Sequence, residues 1–438
     1  MYDVSSSRPR AGYRARGKTI GWRCGRRNIT VCGESRRSDV VAASRRFHRV
    51  ALALSAAVVG LTGCGPRTAQ ATNPSPSLHN HRGHRVSISK SARASQSISV
   101  PFAGFTMMSR SVGWATSESR VSRVYRTTDG AHRWNDVLRT RTGSGIATAF
   151  LNASDAWVMV RKRGALRVFR TTDGGRVWKA STLPALPKHH RLLGPHTASF
   201  PRKLYFVDAT HGWALADTGT AGGLETVDVC KTADGGKHWT LMRHANIPRL
   251  GVKDGMMFRS DTTGWITSAN TKTGTPVIEM TTNGGAQWNL QGLANASAPR
   301  GSADVSAPIF LTKSKGYLSV AMGGPTVKTV VFTTANGGRS WSPVGSVPGL
   351  DTVVFTRPSA GFATTGRHSA VTPDGGATWR TTPATGLHGR VLHIDFPSSQ
   401  VGWALVVQSV GVREVLLRTA NGGKSWHPVR VECVCAAS

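Results

Sequence analysis

The sequence predicts an all-β fold, a seven-bladed β-propeller of four-stranded blades. Three observations lead there: a glycine-rich turn motif that occurs seven times, a second element of constant spacing before each copy, and a composition suited to short strands. The 438 residues include 49 Gly and 13 Trp, and only 18% are charged. Gly and Trp at this level, beside abundant Thr, Ser and Val, favour tight turns between strands over long helices.

The chain divides into three parts, and the first is an address. Residues 1–63 end in a basic stretch, Arg45 to Arg49, then an apolar run from Val50 to Leu61, then Leu61-Thr62-Gly63-Cys64. An apolar run this short suits a cleavable export signal better than a permanent membrane span. The last four residues resemble the lipobox of bacterial lipoproteins. That resemblance implies a lipidated Cys64 as the first residue of the mature protein, anchored at the extracytoplasmic face of the cell membrane. Residues 1–44 are Arg-rich and irregular and are left out of the fold.

Residues 64–99 form the second part, a disordered tether rich in Ser, Ala, Pro, Asn and His. Its His79, His81 and His84 read as polar tail, and no metal or cofactor is expected anywhere in the chain. The third part, residues 100–438, is the propeller.

The turn motif is Thr-x-Asp/Asn-Gly-Gly-x-x-Trp. Its acidic or amide position is Asp129, Asp173, Asp234, Asn283, Asn336, Asp374 and Asn421, and its last position is Trp134, Trp178, Trp239, Trp288, Trp341, Trp379 and Trp426. Ala131 replaces the second Gly in the first copy. The preceding element pairs an apolar residue with an aromatic seven positions later: Met107/Trp114, Phe150/Trp157, Phe206/Trp213, Phe258/Trp265, Phe310/Tyr317, Phe355/Phe362 and Phe396/Trp403. Only Trp22 among the tryptophans lies outside these two elements. Each unit reads as four strands: one ending at the apolar anchor, one starting at the Gly-aromatic, one before the box and one from the box Trp.

The motif has a turn chemistry. Asp or Asn accepts hydrogen bonds from backbone amides two residues on, the Gly pair supplies positive φ, and the Trp packs back over the hairpin between the third and fourth strands. Three copies carry Asn, so a full charge is not required, which argues against calcium binding and acid catalysis. These seven positions are assigned a structural role.

The motif resembles the Asp box of the BNR-repeat superfamily, and seven contiguous copies over residues 100 to about 432 most resemble the photosystem II stability and assembly factor family. That resemblance implies a non-enzymatic, protein-binding propeller. Sialidases, sortilin ectodomains and xyloglucanases share the box, so the resemblance speaks for fold and little for function.

Charge narrows the partner. The net charge is +34, and residues 64–438 alone hold 43 Lys and Arg against 19 Asp and Glu. Such a body attracts polyanions. Export disfavours nucleic acid and leaves a membrane-protein complex or an anionic wall polymer, bound by a monomer. The alternative is an extracellular glycoside hydrolase, which needs two carboxylates across a cleft. Asp254 and Asp351, each four residues before its Phe anchor, should stand near the channel mouth, with Asp304 and Arg390 at comparable places; ligand binding is assigned to Asp254, Asp351 and Arg390, and no catalytic residue is assigned. A sialidase is disfavoured because no Phe-Arg-Ile-Pro segment is present. Cys230 reads as a small core residue, and Cys433 and Cys435 are too close for an unstrained bridge.

Overall fold

The computed structural model describes residues 102–434 apart from 118–120, 142–144, 188–198, 222–223, 271–272, 294–302, 324–326, 350–351, 365–368 and 409–412. Cys64, the export signal, the tether, Asp351 and Cys435 therefore lie outside the described residues.

The described strands form seven antiparallel sheets, each a chain-ordered meander. Blade 2 shows the pattern: Ile146–Phe150, Ala156–Lys162, Ala165–Thr171 and Lys179–Thr182. The first strands of the blades are Gly104–Met107, Ile146–Phe150, Phe200–Phe206, Lys253–Phe258, the split pair Ala303–Val305 and Ile309–Phe310, Thr352–Arg357, and Arg390–Asp395. First strands of blades 2 and 3, 3 and 4, 4 and 5, 6 and 7, and 7 and 1 lie against one another, so the first strands form the inner wall of the ring. Blade 1 carries a fifth strand, Glu432–Val434, paired in parallel with Arg133–Asn135 at its outer edge.

The spaced apolar and aromatic residues hold neighbouring blades together. The Gly-aromatic ring packs on the anchor of the following blade: Trp157 stacks on Phe206 with centroids 3.7 Å apart, Trp213 on Phe258 at 3.5 Å, and Tyr317 on Phe355 at 3.8 Å, all within 7° of parallel, whereas Trp265 meets Phe310 and Phe362 meets Phe396 tilted by 35° and 48°. The box Trp of that following blade then meets the same anchor edge-on, as Trp239 does Phe206 and Trp288 does Phe258. Aromatic pairs of these geometries add about 0.5–1.5 kcal/mol each beyond the area they bury. At the junction of blades 7 and 1, Met107 stands in the anchor position and shares a buried cluster with Trp403 and Trp134.

This packing explains the glycine before the aromatic. A Cβ at Gly264 would lie 2.4 Å from the ring of Phe258, and one at Gly212 would lie 2.4 Å from Phe206. The anchor of each blade leans over its own glycine to reach the preceding blade. In blade 2, where Ala156 replaces that glycine, the Trp114–Phe150 centroids are 5.4 Å apart although the rings remain parallel.

Phe258→Ala is expected to lower the unfolding free energy by about 3–5 kcal/mol, and Gly264→Ala by about 1–3 kcal/mol through overpacking. Gly292→Ala, at a site with nothing within 4 Å, should change it by less than about 0.5 kcal/mol. Urea unfolding followed by tryptophan fluorescence measures all three; a Gly264→Ala protein as stable as the parent contradicts the packing described.

Candidate functional site

The seven boxes are closed on themselves. In blade 2 the Thr171 hydroxyl donates to Asp173 Oδ1 at 2.8 Å, and the same oxygen accepts from the amides of Arg176 and Val177, both at 3.0 Å. The box residue thus reaches amides three and four positions on, not two as its turn chemistry suggested. The Gly175 amide donates to the Thr171 hydroxyl, and both box glycines have positive φ, as does Ala131 in blade 1. In every blade the first box glycine donates its amide to the carbonyl of a residue in the turn between the first and second strands, for example Gly235 to Thr210 and Gly422 to Gln400. In blades 1, 3, 4, 6 and 7 the box Trp indole donates back to the carbonyl of the fifth box residue, as Trp426 does to Gly423, whereas the indole N–H groups of Trp178 and Trp341 are buried without a partner.

The Asp and Asn copies differ at one atom. Asn336 and Asn421 donate their amide nitrogens to the hydroxyls of Ser340 and Ser425, whereas Asp374 accepts from the Thr378 hydroxyl and Asp234 pairs with His238. The residue four positions on matches the chemistry of the spare atom. Hydrogen bonds from Thr378, first its hydroxyl and then its amide, hold the Asp374 carboxyl down at about 2.

Charged side chains gather instead where the first strands of blades 3, 4 and 5 begin, at the end of the inner wall away from the boxes. Lys253 is fully buried; its ammonium donates to Glu279 Oε1 at 3.0 Å and to the carbonyls of Pro248 and Leu250 at 2.6 and 3.1 Å. Glu225 accepts from the Lys253 amide at 2.5 Å and pairs with Arg202 at 3.0 Å. Asp254, the next residue along, accepts from the backbone of Val305 in blade 5. Glu225 and Asp254 therefore tie one blade to the next, whereas Glu279 pairs within blade 4; Asp395 ties blade 7 to blade 1 by accepting from the Met107 amide at 2.6 Å.

Burial dominates the electrostatics here. It lifts Glu225 and Glu279 to about 7 against the opposing pull of Arg202 and Lys253. Burial and then the negative charge of Asp304 lift Asp254 to about 7. Burial, reinforced by Arg202, holds the Lys203 ammonium below its ordinary range. One-sided loss of such a partner leaves a buried charge uncompensated.

The structure thus brings Asp254 and Asp304 together and sets Arg390 apart: Arg390 is exposed at the start of the first strand of blade 7. Cys230 is buried and free in the core between blades 2 and 3, its thiol pushed up to about 12 by burial. Among the described residues no group of His, Cys, Asp or Glu could hold a metal ion. Sequence reasoning missed Arg202, Glu225, Lys253 and Glu279. Their signal was present, since Glu225 and Glu279 interrupt apolar third strands, Leu224–Thr232 and Pro276–Thr281.

No protein-family model and no curated protein matches the chain. Solved structures are similar to it: YCF48 bound to D1 peptide, 17% identical with a TM-score of 0.49 over 74% of this chain and 96% of that one; YCF48 from Cyanidioschyzon merolae, 17% identical at 0.47 over 74% and 97%; and the GH74 xyloglucanase from Xanthomonas campestris, 17% identical at 0.39 over 75% and 45%.

Carboxylates raised by burial favour the protonated fold, so their stabilising effect is complete below the ordinary value of about 4.5 and is lost as pH rises through about 7. Box carboxylates are depressed and act with the opposite sign, so their contribution disappears only below about pH 4. The melting temperature is expected to peak near pH 5 and to fall toward pH 8, with a shallower fall in Asp254→Asn. Calorimetry from pH 4 to 8 checks this; a melting temperature that climbs steadily to pH 8 refutes it.

Proposed function

We propose that the chain is a non-enzymatic propeller, tethered by a lipid on Cys64 to the extracytoplasmic face of the cell membrane, that binds a protein or anionic-polymer partner. One observation supports this above others: the residues that define the repeat are all occupied in building the ring, so a partner meets variable surface. On that surface cations prevail, with 43 Lys and Arg against 19 Asp and Glu over residues 64–438. A surface of this sign recruits acidic partners and rejects basic ones.

A second reading is favoured by one specific observation. Asp254 stands beside Asp304, and burial with that neighbour's charge raises it to about 7; a pair of carboxyl groups, one raised by its surroundings, is what glycoside hydrolysis uses. Against it, Asp254 already caps the backbone of blade 5.

Crosslinking of the membrane-anchored protein, followed by mass spectrometry at low and high salt, separates these readings. Recovery of a defined partner, lost with rising salt, is expected. Turnover of a glycan by the parent protein, abolished in Asp254→Asn with the fold intact, would instead establish the hydrolase.

A further inference from the structure

The positive charge is not shared evenly around the ring. Described residues 102–187, in blades 1 and 2, hold thirteen Lys and Arg against four Asp and no Glu; described residues 200–434, in the other five blades and the fifth strand of blade 1, hold nineteen against thirteen. Among the described residues the shorter stretch therefore carries the larger net charge.

A cleft of about 380 Å³ opens between these same two blades, lined by Arg126, Asn135 and Asp136 of blade 1 and by Gly174, Gly175 and Arg176 of the blade 2 box. Arg126 is held in place from several sides. Its guanidinium lies 5.6 Å from the centroid of Trp114 and donates Nε and Nη2 to the carbonyl of Ala153 in blade 2, at 3.2 and 3.0 Å. A side chain at position 174 would come within 2.9 Å of that guanidinium, so the box glycine leaves it room. Arg176 stands exposed on the same box turn. Burial, and then repulsion from Arg176, hold Arg126 below its ordinary range.

The carboxylates nearby are each engaged through one oxygen, and Asp136 Oδ1 is buried without a hydrogen-bond partner. Asp136 Oδ2 takes the guanidiniums of Arg139 at 2.6 Å and Arg123 at 3.2 Å, and its side chain is 1% exposed. Asp173 Oδ1 is held by Thr171 and by the Arg176 and Val177 amides. Arg123 and Arg139 take Asp136, while Arg126 is held by the Ala153 carbonyl and Arg176 stands exposed across the cleft.

Resting on the binding reading above, we propose that this cleft is the anchoring subsite for a phosphodiester-linked anionic polymer, one phosphate seated between Arg126 and Arg176. Guanidinium forks match phosphate oxygens, and a rigidly placed arginine loses little freedom on binding. The lining is polar, with Val137 as its apolar member, which suits a hydroxylated phosphate chain better than a peptide needing apolar pockets. Arg126 is half-buried, so a chain can enter where a flat bilayer surface cannot.

The test is titration of the purified protein with synthetic poly(glycerol phosphate), read by calorimetry and by tryptophan emission, to which Trp114 and Trp178, packed with the lining residue Val137, contribute. Arg176→Gln and Arg126→Lys should each weaken binding roughly tenfold, whereas Arg339→Gln, at the same box position in blade 5, should not. Thermal melts identify any variant that fails to fold, and exposed Arg176 keeps the test open if Arg126→Lys does. Equal loss in Arg339→Gln, or none in the cleft variants, overturns the subsite and leaves the general reading standing. No binding by any variant overturns both. Tighter binding of an acidic peptide of equal charge, or of anionic phospholipid vesicles, overturns the polymer assignment.

Discussion

The stack of one blade's aromatic on the next blade's anchor is the contact on which the ring depends. A single four-stranded sheet has two apolar faces and can bury neither alone. Trp213 on Phe258, closed from the side by Trp288, shows how three aromatic positions from two blades make one sealed seam. The glycine at 264 is part of the same contact, because the anchor must pass over it. The constant spacing of seven follows: anchor and aromatic sit on either side of one turn, and each serves a different neighbour.

Much of this was legible along the chain. The box recurs with its turn residues in order, and Thr, Gly, Gly and Trp each proved to have a hydrogen-bond or backbone reason for their place. What the spacing does not reveal is direction: nothing in the pair Phe258 and Trp265 says that the first serves blade 3 and the second serves blade 5. That information lies in how blades meet, which periodicity within a blade does not carry.

The charged residues divide in the same way. Asp254 was identifiable because it stands at a fixed distance before an anchor, yet its partner Val305 and its neighbour Asp304 come from another repeat. Glu225, Lys253 and Glu279 break the apolar rhythm of their strands and are read as exceptions only once the fold puts them within reach of one another. Arg126 and Arg176 are fifty residues apart and belong to different blades; their common cleft emerges from ring geometry and from the absence of a side chain at Gly174.

The fifth strand of blade 1 has a bearing on how the protein is made. Glu432–Val434 lies in parallel against Arg133–Asn135, with the Glu432 amide donating to the His132 carbonyl at 2.7 Å. The segment that completes the first blade is made long after the strand it pairs with. Blade 1 must therefore wait with an open outer edge while some three hundred residues are synthesised, and the seam between blades 7 and 1 is sealed at the end of that interval. An interrupted chain presents a bare sheet edge and an uncovered tryptophan, both marks by which quality control can distinguish an unfinished ring from a finished one.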